Sequence, residues 1–106
     1  MSDPAVRRLG DLEIFGVIRE VRVGGQLVKL TTMEFEVLMV LAANTNAVMS
    51  RQRIISAVRG HGWAVNDRSV DGIVSRLRHK LFGGDDEGKH IRTVRGRGYM
   101  LRDVTG

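Results

Sequence analysis

Asp67-Arg68-Ser69-Val70-Asp71-Gly72-Ile73-Val74-Ser75-Arg76-Leu77-Arg78-His79-Lys80-Leu81-Phe82-Gly83-Gly84 carries a single apolar stripe. Val70, Ile73, Val74, Leu77 and Leu81 recur at spacings of 3, 1, 3 and 4, which is the period of one side of an α-helix. Asp67 fits the N-cap, where a short oxygen-bearing side chain accepts from a free N–H of the first turn, and Gly83-Gly84 stops the run. The spacing predicts a helix over 68–82. Its face opposite Val70 carries Arg68, Gly72, Ser75, Arg76 and His79, with Arg78 and Lys80 at the flanks. Such a face is either ordinary solvated surface or a surface that reads a nucleic-acid groove.

The elements on either side bear on that choice. Ser50 is a second N-cap, and a helix over about 51–59 turns Ile54, Ile55 and Val58 inward and Arg51 and Arg53 outward. Gly60-His61-Gly62-Trp63 breaks it. Further upstream, Thr31-Thr32-Met33-Glu34 fits a capping box. The helix it opens, about 32–43 with Asn44 near its end, is apolar on most sides and is expected to be deeply buried. Ala47-Val48-Met49 is a short extended piece. Between Val6 and Leu30 the pattern is that of short strands: Leu12–Phe15, Glu20–Val23 and Gln26–Lys29, the last two joined by the hairpin signal Gly24-Gly25. Downstream, Ile91–Val94 and Tyr99–Leu101 form strands joined by Arg95-Gly96-Arg97-Gly98. Strands, three helices and a basic-tipped hairpin make an α+β winged helix-turn-helix, with residues 1–5 a flexible lead-in and 6–106 one domain.

Composition agrees with this. The chain has 106 residues, 17 Lys and Arg, 12 Asp and Glu, and a net charge of +5. Arg51 to Lys80 alone holds seven bases and two acids, the same excess of +5 as the whole chain. A second basic run, Arg92, Arg95, Arg97 and Arg102, follows Lys89, and the acidic Asp85-Asp86-Glu87 lies between the two. The absence of cysteine excludes disulfides, thiolate zinc sites and a Cys nucleophile. The longest unbroken apolar stretch, Val37–Ala43, is far short of the roughly 20 residues of a membrane span. Residues 1–5 lack a basic-then-apolar signal pattern. A cytoplasmic protein without membrane contact is expected.

Chemistry narrows the classes. Arginine can donate two parallel bonds to guanine O6 and N7 in the major groove, and small neighbours let a backbone approach base edges. Arg76, Ser75 and Gly72 are therefore the candidate base-reading residues. Arg95 and Arg97, on a glycine-enabled turn, either project into a narrow minor groove, where the potential is more negative, or are merely solvated. His61, His79 and His90 include no i, i+4 pair, and the acidic cluster lacks the alternation of a calcium loop, so no metal is expected. No nucleophile–base–acid set can be assembled. An enzyme and a cofactor are therefore not expected. The open alternatives are a double-stranded DNA binder and a protein-interaction module whose basic face meets an acidic partner.

Three separated motifs then carry a resemblance over nearly the whole chain. Leu30-Thr31-Thr32-Met33-Glu34-Phe35 resembles the LTxxEF opening of the OmpR/PhoB-type effector domain of bacterial response regulators. Asp67-Arg68-Ser69-Val70-Asp71 with Ser75-Arg76-Leu77-Arg78-His79-Lys80-Leu81 is similar to that family's recognition helix, and Ile91-Arg92-Thr93-Val94-Arg95-Gly96-Arg97-Gly98-Tyr99 to its wing. The resemblance implies a four-stranded N-terminal sheet, a recognition helix over 68–82 in the major groove and a wing over 91–101 in the minor groove. The implied activity is transcription regulation as the output domain of a two-component system, with two copies bound head to tail on direct repeats. It also implies base reading at Arg76, phosphate or neighbouring base-edge contacts at Arg68 and Arg78, and a place near the backbone for Thr93, while Arg51, Arg53, Arg59 and His79 are further candidates for phosphate or backbone contact by their charge and position. Minor-groove entry falls to Arg95 with Arg97 beside it, and RNA polymerase contact to the segment around Gly60, His61, Gly62 and Trp63. The chain departs from the family where Arg59 stands in place of a common tryptophan, Gly72 in place of a β-branched or apolar residue, and Ile73 in place of a common histidine. The family's receiver domain has no counterpart in these residues, so the chain is expected to be either an excised effector domain or a stand-alone regulator.

Overall fold

Leu12, Ile14 and Val21 alternate with more polar neighbours, and that alternation gives the N-terminal strands one buried face. A computed structural model describes residues 6–63, 66–84 and 90–103, apart from the side chains of Asp67 and Arg68. Strands β1 (Val6–Leu9), β2 (Leu12–Phe15), β3 (Glu20–Val23) and β4 (Gln26–Val28) form an antiparallel meander in sequence order. The register sets Leu12 opposite Val23 and Ile14 opposite Val21, so the apolar residues share the inner face. Val23 pairs with Gln26 across Gly24-Gly25, both at positive φ, as the tight two-residue hairpin requires.

Helices α1 (Thr32–Ala42), α2 (Arg51–Gly60) and α3 (Asp67–Phe82) follow. The capping box at α1 forms as expected: Glu34 N–H donates to Thr31 Oγ1 at 3.2 Å and Thr31 N–H to Glu34 Oε1 at 2.9 Å. Ser50 caps α2 by accepting from Arg53 N–H. The cap of α3 corrects the expectation. Asn66, not Asp67, is the N-cap; its Oδ1 accepts from both Ser69 N–H and Ser69 Oγ at 3.0 Å. Asn66 has the extended backbone of a cap (φ −122°, ψ 173°), which leaves Asp67 as the first helical residue. Gly83, in the left-handed region, ends the helix as read from the sequence.

The core lies where α1 packs on α2 and α3. Val37, Leu38 and Leu41 of α1 meet Ile54, Ile55 and Val58 of α2 and the whole predicted stripe of α3, all buried. Strands β5 (Ile91–Val94) and β6 (Gly98–Leu101) pair antiparallel and seal the core with Ile91, Tyr99 and Leu101. The extended piece before α2 joins them: Met49 N–H donates to Tyr99 O, and Tyr99 N–H donates back to Met49 O. Gly98 makes this approach possible, because a Cβ there would lie 2.1 Å from the Met49 carbonyl oxygen.

Candidate nucleic-acid interface

Amphipathicity fixes the rotation of α3: with its stripe in the core, Ser75, Arg76 and His79 are exposed and Gly72 is half-buried. Arg76 Nε donates to Glu34 Oε2 at 3.0 Å, yet its side chain stays 56% exposed. Its Nη1 rests over Gly72, 3.4 Å from where a Cβ would stand. One turn on, Lys80 Nζ donates to Glu34 Oε1 at 2.7 Å. Glu34 itself is fully buried. Burial opposes its ionisation, but the bonds from Lys80, the Thr31 backbone and Arg76 outweigh it and hold the carboxyl below the usual glutamate range.

Arg78 takes another course. Its Nε and Nη2 donate to Ile91 O at 3.1 and 2.9 Å, and Nη2 also donates to Thr93 Oγ1 at 2.6 Å. Two residues expected at the phosphate backbone, Arg78 and Thr93, thus bond to each other and tie α3 to the wing. Arg51 Nε donates to Asp71 Oδ1 at 2.8 Å, and the Tyr99 hydroxyl donates to the same oxygen. The guanidiniums of Arg51 and Arg78 both lie 5.8 Å from the Tyr99 ring centroid. Burial, then the bond to Asp71, pushes the Tyr99 phenol up; the bonds from Arg51 and Tyr99 hold the Asp71 carboxyl down.

Arg53 and Arg59 are exposed along α2, and Arg53 borders a shallow groove with Asn44, Met49, Gln52 and Ser56. Arg95 and Arg97 are exposed at the hairpin tip on either side of Gly96, whose φ of 73° makes the turn. The open side of α3, the α2 arginines and the wing tip are the surfaces the sequence reading singled out. The side chain of Arg68 lies outside the described residues, as do the acidic residues 85–87.

At the other end of α2, Gly60 closes the helix, His61 caps it, Gly62 turns with φ 89°, and Trp63 is 42% exposed. Sequence reasoning missed what orders this segment. His61 Nδ1 lies 2.9 Å from Oε1 of the buried Glu36, and Arg19 Nη2 lies 2.6 Å from Glu36 Oε2. The Arg19 guanidinium also sits 4.5 Å over the Phe35 ring, which helps hold a non-glycine residue at φ 56°. The signal was present: a second acid on a helix apolar on most sides has to find a cation. Among the described residues, no three His, Cys, Asp or Glu side chains group as metal ligands, and no helix is long and apolar enough to cross a membrane.

Known proteins share this arrangement. Residues 25–101 match the family described as transcriptional regulatory protein, C terminal. The response regulator MprA of Mycobacterium tuberculosis is 38% identical over 103 residues, covering 97% of this chain and 44% of MprA. Transcriptional regulatory protein RstA of Escherichia coli is 37% identical over 92 residues, covering 87% of this chain and 38% of RstA. The chain thus spans less than half the length of these relatives. Among solved structures, the Klebsiella pneumoniae RstA DNA-binding domain, in complex with the RstA box, superposes with a TM-score of 0.80 at 37% identity, covering 93% of this chain and 98% of that one. Thermotoga maritima DrrB, an OmpR/PhoB homologue, gives 0.79 at 29% identity, covering 92% of this chain and 44% of DrrB. Motifs, fold and relatives agree: the chain belongs to the OmpR/PhoB-type family of transcriptional regulatory protein C-terminal domains.

Proposed function

We propose that this chain binds double-stranded DNA sequence-specifically as the output domain of a bacterial two-component response regulator. In this reading α3 enters the major groove with Arg76, Ser75 and Gly72 at the base edges, and the wing lays Arg95 and Arg97 into the adjacent minor groove. Arg53, Arg59, His79 and the α1 threonines position the phosphate backbone. Two copies sit head to tail on direct repeats, the loop of Gly60, His61, Gly62 and Trp63 meets RNA polymerase, and the domain catalyses no reaction. The observation that carries the reading is the outer side of α3: it is open to solvent, it presents an anchored arginine with an exposed tip, and basic elements flank it. The DNA complex of the Klebsiella pneumoniae RstA domain supports it by likeness.

Selection from a random duplex library tests this. A reproducible motif repeated at fixed spacing is the expected result. Enrichment of no motif would mean that the basic surface serves an acidic protein partner instead.

A further inference from the structure

Glu34 makes more bonds than a helix cap needs. A capping box uses one carboxylate oxygen on one backbone N–H. Here Oε1 accepts from both Thr31 N–H and Lys80 Nζ, while Oε2 accepts from Arg76 Nε. The carboxylate is fully buried, whereas more than half of the Arg76 side chain is open to solvent, so the arginine is gripped at its root and free at its tip. Its Nη1 lies alongside Gly72, 3.4 Å from where a Cβ would stand.

We infer that Glu34 is a positioning residue for base recognition: it fixes the Arg76 guanidinium so that the terminal nitrogens, not Nε, are offered to the DNA. The inference rests on the reading of Arg76 as a base-reading residue. A long arginine side chain loses rotamer freedom when it binds, and one already fixed loses less. With Nε held by Glu34, the donors left for guanine O6 and N7 are those of the two Nη groups. Lys80, one turn further along α3, donates to the same carboxylate.

The test compares base preferences, by selection from random duplexes, for the wild type, Glu34→Gln, Arg76→Ala and the double variant. Gln retains the capping box and nearly the same volume but removes the charge that holds Arg76. Arg76→Ala is expected to relax preference at one base position by about tenfold. Glu34→Gln is expected to relax that same position severalfold, leave the other positions and the salt dependence unchanged, and add nothing in the double variant. NMR of the arginine Nε–H groups in the free protein gives a second readout, with a slowly exchanging Arg76 signal in the wild type that is lost in Glu34→Gln. A wild-type profile for Glu34→Gln, or a loss spread evenly over all positions, overturns the positioning role while leaving the reading of Arg76 intact. An unchanged profile for Arg76→Ala overturns both. Rapid exchange of Arg76 Nε–H in the wild type overturns the anchoring.

Discussion

Arg76 and Arg78 are the same residue type two positions apart on one helix, and their surroundings give them different work. Arg76 is held by a buried carboxylate and keeps an exposed tip, while Arg78 donates to a backbone carbonyl and a threonine of the wing. Helical phase alone placed both near the outer face; it could not say which partner each would find. Glu34 decides the first case, and its ionisation gives stability a definite pH dependence. Its folded-state pKa lies below the unfolded value, so the unfolded chain binds the proton more readily. The contribution is present above about pH 4.3 and drains away as pH falls through the folded value. Denaturant midpoints measured from neutral pH down to about pH 2 should therefore fall more steeply below about pH 4.3 for the wild type than for Glu34→Gln. Parallel slopes would contradict the assignment.

At the scale of elements, local chemistry made α1 and α2 legible. Thr31-Thr32-Met33-Glu34 and Ser50 are caps whose partners lie within one turn, and both formed as read. The α3 cap was displaced by one residue because Asn66 and Asp67 are both good caps, and only the backbone angles choose between them. Strand β1 was not legible from alternation, since Arg7 and Arg8 fill its centre; its pairing with β2 makes it a strand. The wing strands were legible, but the reason for Gly98 was not, because the atoms that exclude a side chain there belong to Met49 and Ser50. Gly98→Ala should cost about 3 kcal/mol or more in thermal or denaturant unfolding, since a backbone, not a flexible side chain, has to move. A change below about 0.5 kcal/mol would show that β6 does not approach residues 49–50 so closely.

For the whole molecule, α1 acts as the strut. Glu34 faces α3, and Glu36 faces the turn before β3 and the end of α2, so two buried acids on one apolar helix hold the surrounding elements in orientation. Neither long-range role could be read from periodicity, which identifies faces but not partners across the fold. In the proposed complex the basic contacts act at this scale too, since each phosphate neutralised would release counterions from the DNA. If Arg53 meets a phosphate, Arg53→Ala should weaken binding uniformly across sequences and flatten the slope of log affinity against log salt by about 1. An unchanged slope would remove Arg53 from the backbone set.

The most direct measurement is methylation interference on the duplex selected by the protein. Methyl groups at guanine N7 lie in the major groove and those at adenine N3 in the minor groove. The predicted result is that N7 methylation within the site blocks binding, that Arg76→Ala loses this sensitivity at one guanine, and that N3 methylation blocks binding beside it until Arg95 is replaced by alanine. Binding that tolerates N7 methylation throughout the site would contradict the placement of α3 in the major groove.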